Sequence, residues 1–185
     1  NYLLYVAFIA FFGLFQLSMN GLSIQYLYPD NSWLGRHLTP FFIGMSCFFS
    51  GLFSIRFLNM DIHTPVMYRI MQVLALSGLV LAILSFPADY ALTIIAGQIL
   101  PAIMIIVAIT AALVTLRKGD SSARFYLIAW SVFCAGVMLS VLRVLGFIPH
   151  NLVTEYGLQI GSEIQMVLLS LALADRINII ETENE

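Results

Sequence analysis

Charge is scarce in this chain. Of 185 residues only eight are Lys or Arg and ten are Asp or Glu, 10% in all, against about 25% in an ordinary soluble domain. A water-soluble fold cannot clothe its surface at that ratio, and a formal net charge of -2 gives no purchase on nucleic acid. The single lysine, Lys118, stands between Arg117 and Gly119, so a Schiff base inside an apolar bundle has no residue to form on. His37, His63 and His150 fall at or near expected loops, which leaves no facing pair for haem and no cluster at metal-ligand spacing. The two cysteines, Cys47 and Cys134, lie within apolar runs, and no disulfide is expected. H-E-x-x-H, G-x-S-x-G and Walker-type loops are all missing, so neither a catalytic site nor a cofactor is predicted. What the chain has in abundance is apolar length: 61% hydrophobic residues and a mean hydropathy of +0.95.

Apolar length and punctuation predict an all-α, polytopic membrane bundle of about six helices, each near 20 residues. The first is expected from Tyr2 to Met19, with an extension past Gly21 toward Tyr28. Thr39-Pro40 and Thr64-Pro65 each place a capping residue before a proline, which suits the first turn of a helix. Those signals open the second span, running to Phe57, and the third, closed by Phe86-Pro87. The fourth covers Tyr90 to Leu116 and contains Pro101, whose ring removes the hydrogen bond to the Gly97 carbonyl and predicts a kink or hinge. The fifth spans Ala123 to Leu145, and the sixth Tyr156 to Ile177. Residues 1–177 are thus read as the bundle and 178–185 as the start of a soluble linker.

Alternating spans put Arg56, Arg69, Arg117, Lys118, Arg124 and Arg176 at one side and only Arg36 and Arg143 at the other. Basic residues in short loops are retained in the cytoplasm, so the C-terminus is expected inside. Tyr26, Tyr28, Tyr90 and Tyr156 near one boundary, with Tyr2, Tyr5, Tyr68 and Tyr126 near the other, read as aromatic belts. An even number of spans then sets residue 1 inside as well, and an extracytoplasmic domain upstream requires one more helix.

The segments Gln16 to Asp30 (QLSMNGLSIQYLYPD), Ser122 to Trp130 (SARFYLIAW), Leu145 to Asn151 (LGFIPHN) and Val153 to Ile177 resemble the seven-transmembrane receptors with diverse intracellular signalling modules. The resemblance covers nearly the whole chain and implies a seven-helix receptor bundle between an extracytoplasmic sensory domain and a cytoplasmic histidine kinase or diguanylate cyclase. It sets the six spans against helices two to seven, so the first helix and both flanking domains are expected to lie outside this sequence. The function implied is signal transduction in a bacterial inner membrane, with no catalysis by this segment. A small-solute or ion transporter is the alternative, with Glu163, Gln98 and Arg143 lining a cavity. A single proline-broken span without a counterpart argues against it.

Several residues carry the site predictions. Glu163 lies about 10 Å into the last span, with Gln159, Ser162 and Gln165 nearby and Arg143 near the outer end of the preceding one. A buried Arg143–Glu163 pair would neutralise two costly charges. A structural clamp, a ligand-operated switch and a proton path remain as readings of that network. Gly157-x-x-x-Gly161 allows close helix approach, within the bundle or in a homodimer. Asp175 and Arg176 stand where the last span would pass a signal onward, and Leu173, Ile177, Ile180 and Asn184 have the spacing of a heptad seam. The lipid bilayer is the one partner the composition demands.

Overall fold

The computed structural model describes residues 2–26, 31–119, 122–144, 146–149, 151 and 156–183, the positions 24, 32, 122, 144 and 175–183 by their backbone alone. Helices account for the described architecture: α1 Tyr2–Met19, α2 Leu22–Tyr26, α3 Ser32–Phe57, α4 Met60–His63, α5 Pro65–Leu84, α6 Tyr90–Arg117, α7 Ser122–Val144 and α8 Gly157–Glu183. Six of them are long and apolar enough to cross a membrane. The chain forms two compact units, Asn1–Ala111 and Ala112–Glu185.

In the first unit α3 is the central element, because it offers a different surface to each neighbour. Toward α5 it presents small residues. A Cβ on Gly44 would stand 2.5 Å from the Gly78 carbonyl oxygen and 2.7 Å from the Ala82 nitrogen, so these backbones approach as closely as glycine permits. Gly51 meets the Ala75 side chain in the same way. Toward α1 it presents rings: Tyr5 packs on Phe53 at 5.4 Å between centroids, and Phe11 stacks on Phe49 at 5.5 Å. Lipid supplies no hydrophobic drive between helices, so close backbone approach and ring packing are what hold such a unit together.

The second span begins eight residues earlier than its proline suggested. Asn31 caps α3, its Oδ1 accepting from the Leu34 N–H at 3.1 Å. Thr39 does not cap; its hydroxyl donates to the Gly35 carbonyl at 3.2 Å, and Pro40 lies inside the helix. The polar segment from Ser32 to His37 concealed this start, since it reads as loop while Asn31 and the aromatic Trp33 make it helical. Pro101 accordingly has a counterpart in Pro40. The two occupy the second and fourth of six spans, which are not corresponding positions of two triplets. Pro65 does stand at the first turn of α5, although Thr64 makes no capping hydrogen bond and donates instead toward the Met60 carbonyl.

Gly21 is left-handed at φ +74° and breaks α1 from α2, which ends at Tyr26. The tyrosine belt needs correcting too. Tyr5 and Tyr126 are 4% and 0% exposed, core residues rather than boundary anchors, whereas Tyr2, Tyr26, Tyr90 and Tyr156 are exposed. Tyr28 lies outside the described residues.

Candidate functional site

Glycine decides how α7 and α8 meet. Gly136 of α7 faces Gly157 and Gly161 of α8 so closely that a Cβ on Gly136 would collide with the Gly157 carbonyl, and one on Gly161 would stand 3.1 Å from the Gly136 Cα. Ser140 extends the contact outward: its hydroxyl donates to the Gly136 carbonyl at 3.1 Å and accepts the Leu158 N–H at 3.1 Å. The Gly157-x-x-x-Gly161 spacing therefore serves packing inside the chain.

This seam fixes which residues of α8 face α7. Gly157, Gly161, Gln165, Leu169 and Ala172 are buried, while Ile160, Glu163, Ile164, Val167 and Leu171 are exposed. Gln165 and Glu163 are two residues apart, which at 3.6 residues per turn sets them about 200° apart around the axis. Gln165 is 2% exposed and at the middle of the buried stripe; Glu163 points the other way.

The expected Arg143–Glu163 ion pair is accordingly absent among the described residues. Arg143 lies seven residues outward of Gly136 on α7, whereas Glu163 lies inward of Gly161 on α8. At 1.5 Å per residue the two are separated by about 15 Å along the antiparallel pair, farther than their side chains reach. Spacing along the chain sets their membrane depths only coarsely and does not reveal that Glu163 turns away from α7.

A different polar set is brought together instead. Ser162 is fully buried and its hydroxyl donates to the Gln159 carbonyl at 2.7 Å. Six residues inward from the glycine contact, the antiparallel register sets Trp130 of α7 level with Gln165 of α8. Trp130 is 7% exposed and its Nε1 donor, like the Nε2 donor of Gln165, has no hydrogen-bond partner among the described residues. Trp130 also packs against Tyr126 at 5.9 Å and edge-on to Phe133 at 5.8 Å. Six residues also turn Trp130 about 120° around α7 from Gly136, so of the two donors it is the Gln165 amide, one turn from Gly161, that lies on the seam, and a buried N–H without a partner costs about 1–3 kcal/mol. The tryptophan was legible as core, but its level with Gln165 depends on the register, which only the glycine contact reveals.

The remaining candidates lie apart from this seam. Gly97 of α6 is buried with its Cα against Ile43, a Cβ there standing 3.3 Å from the Ile43 side chain, and Pro101 is half-buried one turn on. Gln98 is exposed. The backbone of Asp175 and Arg176 is helical, but their side chains, with those of Ile177 and Ile180, lie outside the described residues, as does Asn184 altogether. At the Arg36 end of the first unit, the His37 Nδ1–H donates to the Ser85 carbonyl at 2.6 Å, and Trp33 lies over the His37 ring at 4.4 Å. This link between the ends of α3 and α5 was missed because α3 was expected to start after it.

No curated protein and no solved structure matches the chain. The family model described as 7TM diverse intracellular signalling matches residues 1–176, which takes in every membrane-spanning helix and both seams. The chain is a multi-pass membrane protein of the 7TM diverse intracellular signalling family, and its bundle is a signalling receptor domain.

Proposed function

We propose that this bundle relays an extracytoplasmic signal across a bacterial inner membrane, using α8 to drive a cytoplasmic histidine kinase or diguanylate cyclase. The observation that carries the reading is the continuity of α8: one unbroken 27-residue helix runs from the glycine contact with α7 to the polar end at Glu183. A helix of that length spans about 40 Å, enough to cross the hydrocarbon core and emerge from it. A shift at the α7 seam is then felt at Asp175 and Arg176 without an intervening joint. Pro101, which leaves the Gly97 carbonyl without its helical donor, supplies a place for α6 to bend as the bundle changes state.

The cytoplasmic C-terminus is supported by charge. Arg56 and Arg69 stand at one end of the antiparallel α3/α5 pair with Arg36 at the other; Arg117, Lys118 and Arg124 gather at one end of α7 with Arg143 at the other. Reporter enzymes fused after Glu185 should be active only as cytoplasmic reporters, and a cysteine placed at Asn31 should label from outside. Extracytoplasmic activity of the C-terminal fusion ends the orientation. For the relay, the Ser140 hydroxyl lies 3.5 Å from a Cβ built on Gly157, so Ser140→Cys with Gly157→Cys can be cross-linked. In the full-length sensor, oxidation should freeze output at one level. Output that still responds after complete cross-linking refutes motion at this seam.

A further inference from the structure

A groove of about 590 Å³ lies between α3 and α5. Its residues are sorted by depth. Arg69 and Gln72, in the first two turns of α5, form the polar end, and Val73, Leu76, Leu52 and Phe48 continue deeper into the span. Ala75, 1% exposed, forms the floor, because Gly51 lets the two helices close beneath it. The volume falls within the roughly 300–1,000 Å³ of small-molecule sites.

The polar end is equipped for a phosphate. Arg69 is exposed, and among the described residues no carboxylate pairs with it. A guanidinium presents two parallel N–H groups to two phosphate oxygens. Gln72 Nε2 donates to the Tyr68 hydroxyl at 2.8 Å, which fixes the amide beside Arg69 and leaves the Tyr68 O–H as a further donor at the same end. A soluble anion would use these donors and ignore the apolar track below them. A transmembrane peptide would use the track and meet an unpaired charge at its end. A phospholipid satisfies both, with headgroup at Arg69 and an acyl chain against Val73, Leu76, Leu52 and Phe48. Because no carboxylate among the described residues offsets the guanidinium charge, a lipid with net negative charge is favoured over a zwitterionic one, whose own ammonium competes for the phosphate.

We infer that the α3/α5 groove binds one anionic phospholipid, its phosphate held by Arg69 with Gln72 and Tyr68. The topology proposed above makes this the cytoplasmic leaflet, but the site itself stands on the groove and holds for either leaflet, so reporter results and lipid binding fail separately.

The test is native mass spectrometry of the purified chain in detergent with added phosphatidylglycerol or phosphatidylethanolamine. One phosphatidylglycerol should be retained about fivefold more strongly than phosphatidylethanolamine, the scale expected from one basic residue at an anionic headgroup. Arg69→Gln should erase that preference and Arg69→Lys keep part of it, while Arg36→Gln, at the other end of α3, should leave it intact. Val73→Trp should fill the track and reduce retention of both lipids, with unchanged helical circular dichroism showing that the bundle persists. Equal retention of the two lipids, or a preference untouched by Arg69→Gln in folded protein, overturns the proposal in favour of unselective boundary lipid. Displacement by millimolar inorganic phosphate overturns it in favour of a simple anion site.

Discussion

At the α3/α5 seam Gly44 and Gly78 bring two backbones together among Cys47, Ala75 and Ala82, and the side chains that meet the seam glycines are apolar. At the α7/α8 seam Gly136 closes on Gly157 and Gly161, the contact continues through Ser140, and the Gln165 Nε2 on the same face of α8 has no hydrogen-bond partner among the described residues. Both rely on glycine for closeness, and they differ in what an alternative packing would cost. Sliding the first seam separates well-packed surfaces and offers nothing in return. Sliding the second can give the Gln165 amide the partner it lacks among the described residues. The first is suited to a fixed clasp, and the second to the rearrangement that the proposed relay requires.

The sharpest way to break this contrast is to add a methyl group to each seam. Gly44→Ala and Gly136→Ala both drive a Cβ into backbone, and each should cost about 2–3 kcal/mol, read as a lower unfolding midpoint in detergent. Only Gly136→Ala should also bias the output of the full-length sensor. If Gly44→Ala biases it equally, the two seams are not functionally distinct.

A smaller effect of opposite sign is expected at Gln165. Gln165→Leu replaces a buried amide whose Nε2 lacks a partner among the described residues by a side chain of similar size, and should stabilise the bundle by about 1 kcal/mol while slowing or locking its response. A lowered midpoint would show that the amide is already satisfied in the resting seam. Trp130→Phe also removes a donor that lacks a partner among the described residues, but it takes away part of a ring packed on Tyr126 and Phe133, and the cavity left should lower the midpoint instead.

The smallest effect concerns the charges. With Glu163 exposed and about 15 Å from Arg143, Glu163→Gln and Arg143→Gln should combine additively to within about 0.5 kcal/mol in a double-mutant cycle. A coupling above 1 kcal/mol would restore the ion pair and place Glu163 back in the seam.

Much of the fold was legible because membrane spans are written in apolar length, and all six were found with most ends within a few residues. Thr64-Pro65 was read correctly as a start, while the identical Thr39-Pro40 was not, because the capping that decides the matter lies at Asn31. Local signals compete, and the winner depends on which turn can satisfy its free N–H groups. The site was less legible for a geometric reason. Spacing along one helix gives the angle between Glu163 and Gln165, but which side faces a neighbour depends on the glycine contact between two helices. Likewise the Gly44 and Gly51 surface escaped notice, since its partners Ala75, Gly78 and Ala82 are informative only once α5 lies against it.

The unbroken course of α8 makes any attachment beyond Glu183 sensitive to counting. Each residue added to a continuous helix turns everything after it by about 100° and advances it 1.5 Å. Seven added residues return the chain to within about 20° of its starting face, whereas two turn it by about 200°, to nearly the opposite heading. A module joined to this helix would therefore show activity that rises and falls with the number of residues inserted, a dependence that a flexible joint would erase.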